Sequence, residues 1–347
     1  MEVTRGWTHA AFPIDDASRI GEARRHASYL CADLGWGDVE TGRLALIITE
    51  LGTNLLRHAS QGRLLIAARL PLGDVEVISI DEGPGIPSVS RSMEDGYSTG
   101  RGSPGTGLGA VRRQANSFDM HSTVPGGTIC VARVARTPES AVNAEAKAKD
   151  GKHYAFGAIC VPIHGESVCG DAWGVALDGA TATVLVADGL GHGPHAAAAS
   201  QSALDAFAAD AADDLRHLIE RTHSQLQTTR GAAICAVRID GDAQTVFCAG
   251  AGNVVARVVS GVFDRSMVTQ HGTAGIQIRK PDQSRLQMPP HGVTIVHSDG
   301  LASRWDTAPI LPVLERDPTL AAAILFRDFS RGRDDATVVV IRQEDRA

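Results

Sequence analysis

The sequence predicts an α+β protein built from two layered domains, and three observations point there. The first half alternates helical and strand-like stretches, whereas the second is rich in short β-favouring runs around one helical block near Pro194 to Gln227. Between them, Arg136 to Lys152 carries alanines and alternating charge but no apolar face able to join a core, so it reads as a linker. Four aspartates of the second half, Asp171, Asp188, Asp299 and Asp334, stand at or beside the ends of apolar runs. The expected domains are residues 1–135 and 153–347, joined by 136–152.

Composition narrows the function. A chain of 347 residues with 43% hydrophobic content can bury two ordinary cores. Net charge is −7, pI is near 6.0 and no Lys/Arg block occurs, which argues against nucleic acid as a partner. The six cysteines are scattered through apolar runs without a C-x-x-C pair, as expected of buried thiols in a reducing compartment rather than a zinc site. The N-terminus lacks an apolar signal core, and no run approaches the roughly 18 apolar residues of a membrane span. A cytoplasmic protein with no membrane association is the expectation.

In the first half, Asp15 or Asp16 can cap a helix carrying Ile20, Ala23, Ala27, Leu30 and Leu34, and Asp38 can open a second through Leu44, Ile47, Ile48, Leu51 and Leu55. Arg63 to Leu70 and Val75 to Asp81 read as an antiparallel pair around a Leu-Gly-Asp turn. A Gly-rich loop, a helical run over Val111 to Phe118 and a closing strand over Thr128 to Val134 follow. On the second helix Glu50 and Asn54, four residues apart, share a face, with His58 a further turn along. Such a face can offer an amide oxygen to Mg²⁺ and a carboxylate to an attacking hydroxyl or water, or it can simply be solvated. Asp81-Glu-Gly83-Pro-Gly85 lets backbone approach a planar ligand while Asp81 accepts from an exocyclic amine; its plainer reading is a Gly/Pro turn. Gly105-Thr-Gly107-Leu108-Gly109 precedes a helical run, so its amides can cradle phosphates.

Taken together, Glu50-Leu-Gly-Thr-Asn54, Asp81-x-Gly83-x-Gly85 and Gly105-x-Gly107-x-Gly109 resemble the GHKL ATPase/kinase superfamily over most of residues 10–135. With Asp95 to Gly100 leading into the last glycine box, the likeness is to small serine/threonine kinases of the RsbT type, which act on STAS-domain proteins in bacterial partner switches. The resemblance implies an α/β sandwich with a mixed sheet and helices on one face, binding ATP and Mg²⁺. It places Asn54 on Mg²⁺, Glu50 as base, Asp81 on adenine with Thr128 behind it, Gly105, Gly107, Leu108 and Gly109 near the phosphates, and residues 88–104 as a lid.

In the second half, eight short runs from His153 to Ile341 suggest a two-sheet core. Pro194 fits the start of one helix, and Asp213 or Asp214 the cap of another carrying Leu215, Leu218 and Ile219. Asp-Gly is a strong turn dipeptide, so Asp188-Gly189 and Asp299-Gly300 can each be structural. Four acids delivered by very apolar runs favour a metal, because clustered carboxylates are costly without a compensating cation. The order Gly170-Asp171, Asp188-Gly189-Leu-Gly-His192-Gly193, Ser298-Asp299-Gly300, Asp334-Asp335-Ala-Thr337, with Ala249 to Asn253 between, resembles the PPM (protein phosphatase 2C-like) family in its SpoIIE and RsbX branch. That likeness implies an αββα sandwich holding two Mn²⁺ or Mg²⁺ through Asp171, Asp188, the Gly189 carbonyl, Asp299 and Asp334, with Asp335 a less certain ligand. His192 reads equally as an acid near the site or as a turn residue. The phosphate-binding arginine of many relatives is not identifiable, although Arg304, Arg331 and Arg333 lie near the motifs.

The two resemblances imply a bifunctional partner-switch regulator: a serine/threonine kinase-like domain joined to a phosphoserine/phosphothreonine phosphatase, both acting on STAS-domain phosphoproteins of a stressosome or sigma-factor pathway. The alternative is a phosphatase whose N-terminal domain binds nucleotide and docks a partner without transferring phosphate.

Overall fold

The computed structural model describes residues 1–92, 107–136 and 154–344. The expected lid beyond Ser92, Gly105 and the linker beyond Arg136 lie outside the described residues. The chain forms two compact units, Met1–Thr8 together with Asp150–Ala347, and His9–Lys149.

The first strand, β1 (Glu2–Arg5), belongs to the second unit, so the expected 1–135 domain loses Met1–Thr8. The reason is local: β1 pairs antiparallel with Asp171–Asp178, and the Gly6 amide donates to the Trp173 carbonyl at 2.8 Å. Trp7 then meets Trp173 edge-to-face, with ring centres 4.7 Å apart and Phe156 beside them. A Cβ at Gly6 would come within 2.4 Å of the Trp173 ring, so only glycine lets the chain pass there.

The unit from His9 to Lys149 carries β2 (Ala10–Pro13), α1 (Ala17–Asp33), α2 (Asp38–His58), β3 (Arg63–Arg69), β4 (Asp74–Ile80), the short α3 (Val89–Ser92), α4 (Gly107–Gln114), β5 (Ser117–Ser122) and β6 (Thr128–Ala135). Asp16 caps α1 by accepting from the Ser18 amide. Strands run in the order β2-β3-β4-β6-β5. Every described pairing is antiparallel, which corrects the expected mixed sheet. Tight connections enforce this for β3–β4, around Gly73 at φ +72°, and for β5–β6, because a short hairpin can only join antiparallel neighbours. One sheet face, with Leu64, Ile66, Val75, Val77 and Val134, packs against Ile20, Ala23, Ala27, Leu44, Ile47, Ile48 and Leu51 of α1 and α2.

The helical run expected to reach Phe118 ends instead at Gln114. Arg43 donates to the Gln114 carbonyl at 2.8 Å and to the Asn116 side chain, also at 2.8 Å, and Asn116 accepts from the Ala135 amide at 2.9 Å. These bonds stop the helix and turn the chain into β5.

The second unit continues with β7 (Tyr154–Val161), β8 (Asp171–Asp178), β9 (Thr181–Gly189), α5 (Pro194–Ala209), α6 (Leu215–Gln225), β10 (Ala232–Asp240), β11 (Thr245–Ala251), β12 (Val255–Val259), β13 (Asp264–Met267), β14 (Gly272–Thr273), β15 (Gln277–Ile278), β16 (Ser284–Gln287), β17 (Val293–His297), α7 (Pro318–Phe329) and β18 (Ala336–Gln343). Its two main sheets run β1-β8-β9-β10-β11-β16 and β13-β12-β17-β18-β7. Helices α5 and α6 cover the first and α7 the second, an αββα sandwich. Helix α7 has no counterpart in the sequence reading: nine successive residues from Pro318 to Phe326 are buried, so no polar face marks its period.

Candidate functional site

In the first unit, α2 brings Glu50 and Asn54 to one place, as their spacing requires. A Cβ at Gly107, the first residue of α4, would lie 3.1 Å from Glu50 Oε2 and 3.7 Å from both Asn54 side-chain atoms. The glycine-rich helix start therefore abuts the carboxylate–amide pair. Gly109 is buried, and the Leu108 side chain packs against the core.

Asp81 follows β4 and is 9% exposed. Its Oδ1 accepts from the Gly83 amide at 2.7 Å, and its own amide donates to the Thr128 carbonyl at 3.0 Å. Thr128 thus supports Asp81 through main chain, while its hydroxyl pairs with Ser122 at 2.9 Å. Gly85, at φ +76°, sits where a Cβ would fall 2.0 Å from the Thr123 carbonyl oxygen. The turn is packed too tightly for a side chain.

In the second unit, strand register assembles the acids. Asp171 at the start of β8 pairs directly with Asp188 near the end of β9, and Asp299 follows β17 of the facing sheet. Asp171 is buried, and its Oδ2 has no hydrogen-bond partner. Burial, then the neighbouring Asp171, Asp299 and Asp334, push Asp188 up to about 9. Burial raises Asp171 as well, well above the ordinary range, with Cys160 and Asp335 adding to it and Ser298 and Thr337 opposing it. Asp299 is raised by burial and then Asp334, against a lowering by Arg331. These carboxylates stand in one another's field with little protein charge to balance them.

The orienting bonds were invisible in the sequence. Asp335 spends both oxygens on backbone, accepting from the Ile163 and Gly170 amides at 2.8 Å each. It clamps the segment ahead of Asp171, which is a positioning role. Asn253 donates to Asp299 Oδ2 at 2.5 Å, giving the Ala249 to Asn253 motif a task. The buried His297 imidazole accepts from the Trp305 indole at 3.1 Å and donates to the Ser298 carbonyl at 2.8 Å, bracing the strand end that delivers Asp299. Burial holds its pKa down at about 4, so the neutral ring suits that brace. His192 pairs through Nδ1 with Glu166 at 2.8 Å on the open side of the loop.

Among the described residues, no group of three or more His, Cys, Asp or Glu side chains closes a ready-made metal cage. What is present is an incomplete shell of hard oxygen donors, one of them buried and unpartnered. That donor set fits Mg²⁺ or Mn²⁺, which are held by few carboxylates and keep several waters. No helix among the described residues is long and apolar enough to cross a membrane.

Fold and sites together define a two-domain protein: a kinase-like ATPase domain and a PP2C-type phosphatase domain. Residues 12–134 match the histidine kinase-like ATPase domain family, and residues 178–344 match the family described as stage II sporulation protein E (SpoIIE). Serine/threonine-protein kinase RsbT of Bacillus subtilis (strain 168) is 35% identical over 111 residues, which are 31% of this chain and 83% of RsbT. Phosphoserine phosphatase RsbX of the same organism is 31% identical over 90 residues, 26% of this chain; the match spans 45% of RsbX, less than half its length. The chain belongs to the RsbT family of kinase-like ATPase domains through its N-terminal unit and carries a C-terminal SpoIIE-type phosphatase domain similar to RsbX.

Solved structures agree in fold. RsbX in complex with magnesium superposes with a TM-score of 0.51 at 21% identity, over 56% of this chain and 98% of RsbX. A structure described under the bacterial stressosome as a modular system adapted to control secondary messenger signaling gives 0.52 at 24%, over 55% of this chain and 99% of its own.

Proposed function

We propose that this chain is a cytoplasmic partner-switch regulator that phosphorylates and dephosphorylates STAS-domain proteins of a stressosome or sigma-factor pathway. In the N-terminal unit, Asn54 would hold Mg²⁺, Glu50 would take the proton of the substrate hydroxyl, and Asp81 would accept from adenine. The Gly83 and Gly85 turn, with Thr128 behind it, would shape the base pocket, and Gly105, Gly107, Leu108 and Gly109 would offer amides to the phosphates. In the C-terminal unit, Asp171, Asp188, the Gly189 carbonyl, Asp299 and Asp334 would hold two Mn²⁺ or Mg²⁺. When bound, such ions supply an activated water and neutralise charge on a phosphoserine or phosphothreonine. Asp335, Asn253 and the His297–Trp305 brace keep those carboxylates aimed at one point.

One observation carries the phosphatase reading: the buried Asp171 and the half-buried Asp188 are paired across two strands, and burial together with neighbouring acidic groups raises the pKa of both. The kinase reading is supported by Glu50 and Asn54 meeting the first residue of α4. Both are tested by giving the protein ATP labelled at the γ-phosphate and a STAS-domain substrate, alongside an aryl phosphate with Mn²⁺. Label transfer is expected to vanish in Glu50→Ala, and aryl phosphate turnover to fall on the order of 10³-fold in Asp188→Asn. Tight ATP-dependent binding of the partner without label would replace the kinase with a docking module. Unchanged turnover in Asp188→Asn would end the phosphatase reading.

A further inference from the structure

Resting on the phosphatase reading above for its consequence, we propose that Cys160 and Cys169 are an oxidisable pair: a hydroperoxide joins them in a disulfide that displaces Asp171 and weakens divalent-ion binding at the site.

The two thiols meet at the ends of one loop. Cys160 lies on β7, opposite Thr337 of β18, and Cys169 stands just ahead of β8, outside any strand. Their Sγ atoms are 3.6 Å apart, in van der Waals contact. Asp335 closes the same loop from its other side, because its two oxygens accept from the Ile163 and Gly170 amides. The fold already holds the chain in the closed arrangement that a disulfide needs, so bonding the sulfurs costs little further loop entropy.

A second sulfur pair in this unit marks the difference. Cys235 and Cys248 have Sγ atoms 3.5 Å apart, but both residues are fully buried. They are diagonal neighbours on paired strands, Cys235 facing Gly250 and Cys248 facing Val237. Such positions lie about 7–8 Å apart, too far for a disulfide unless the ladder shifts. Cys169 is held in no ladder, is 5% exposed and follows Val168, which is 40% exposed. A local opening of its loop is enough to admit a small peroxide.

The chemistry needs only a hydroperoxide as oxidant. The Cys169 sulfur attacks the peroxide and breaks its O–O bond, giving a sulfenic acid and an alcohol, or water where the oxidant is hydrogen peroxide. The Cys160 sulfur then attacks the Cys169 sulfur: the S–S bond forms, the S–OH bond breaks, and hydroxide leaves as water with the Cys160 proton. Two electrons and two protons pass from the thiols to the peroxide.

The bond reaches the acids through Gly170. Its amide is held by Asp335, and its carbonyl accepts from the Gly189 amide at 3.1 Å. A Cβ on Gly170 would fall 2.6 Å from Asp335 Oδ2 and 2.9 Å from the Ala196 Cβ, so this segment has no slack. Cys160 Sγ also lies 4.0 Å from the Asp171 carbonyl oxygen. Drawing Cys169 toward Cys160 moves Gly170, and with it Asp171 and the Gly189 main chain.

The test treats the full-length protein, free of metal and nucleotide, with hydrogen peroxide, and maps its peptides by mass spectrometry without reductant. A link between Cys160 and Cys169 is expected, with two of the six thiols lost and both recovered on adding dithiothreitol. Mn²⁺ titration followed by electron paramagnetic resonance should show about tenfold weaker binding in the oxidised protein than in the reduced one. Cys160→Ala and Cys169→Ser should each bind Mn²⁺ within about twofold of the unsubstituted protein and keep that affinity after peroxide, whereas Cys235→Ala should still lose it. A link between Cys235 and Cys248 instead, six intact thiols, or unchanged Mn²⁺ affinity in the linked protein overturns the proposal. If the reduced protein binds Mn²⁺ no better than Asp188→Asn, the phosphatase reading fails by itself, and the peptide map alone decides for or against the disulfide.

Discussion

Buried carboxylates in the two units meet opposite fates. Glu76 on β4 is fully buried, yet its pKa lies well below the usual range: burial pushes it up, and Arg133, Arg69 and His9 more than reverse that. Arg133 donates to Glu76 at 2.7 Å, His9 lies at 3.2 Å and Arg69 at 3.4 Å. Asp171 is buried and Asp188 half-buried, but their neighbours are other acidic groups and their pKa values rise. The lesson is chemical. A buried acid surrounded by the protein's own cations is a structural group, whereas buried acids lacking them await a cation from outside.

That contrast can be broken with one pair of substitutions. Glu76→Gln removes the charge that holds the buried Arg69 and the largely buried Arg133 and should cost the N-terminal unit about 3–5 kcal/mol. Asp188→Asn removes repulsion and should leave the metal-free C-terminal unit neutral or more stable, with the order reversed once Mn²⁺ is added. Denaturant titrations with and without chelator measure both, and a Glu76→Gln cost below about 1 kcal/mol would remove the distinction. The pH dependence has a definite sign. Because the folded-state pKa of Glu76 is depressed, its contribution is fully present above the ordinary carboxylate value of 4.5 and is lost as pH falls below it. Glu76→Gln should therefore flatten the acid limb of the unfolding profile.

The next largest effect concerns where the units begin. Trp7 is buried against Trp173 and Phe156, so Trp7→Ala should destabilise the C-terminal unit by about 3 kcal/mol. Nucleotide binding by the N-terminal unit should be untouched. A truncation starting near residue 150 removes β1 as well and leaves the β8 edge unpaired, and it should aggregate or melt earlier than Trp7→Ala. A truncated form as stable as the full chain would show that β1 is dispensable.

The same contrast explains what was legible in the sequence. Helices α1 and α2 were plain because one face is apolar at helical spacing, and the Glu50–Asn54 pair follows from that periodicity. Asp188 and Asp299 were legible because Asp-Gly at or just beyond the end of an apolar run is a conspicuous pattern. The positioning bonds were not. Asp335 reaches amides at Ile163 and Gly170, and Asn253 reaches Asp299, across sequence distances that no local pattern encodes. Glu76 was missed for the same reason: its three partners come from separate stretches, and one charge in an alternating strand looks like a solvent-facing residue. Strand β1 is four residues long, too short to stand out from a terminal tail.

The smallest effect tests the N-terminal site, where fit rather than charge is at stake. Gly107→Ala places a methyl 3.1 Å from Glu50 Oε2 and 3.7 Å from Asn54, close enough that the Glu50 side chain must give by a few tenths of an ångström. Glu50 is only half-buried, so the fold should tolerate this, and the helix gains from losing a glycine by up to about 1 kcal/mol. Nucleotide affinity should nevertheless fall about three- to tenfold, because a displaced carboxylate and a filled amide cradle both act on the phosphate end. Calorimetric titration with a non-hydrolysable ATP analogue, read beside the unfolding midpoint, separates the two. Weaker binding with an unchanged or higher midpoint supports the abutment of α4 on the Glu50–Asn54 face as the phosphate subsite. Unaltered binding would move that subsite away from Gly107.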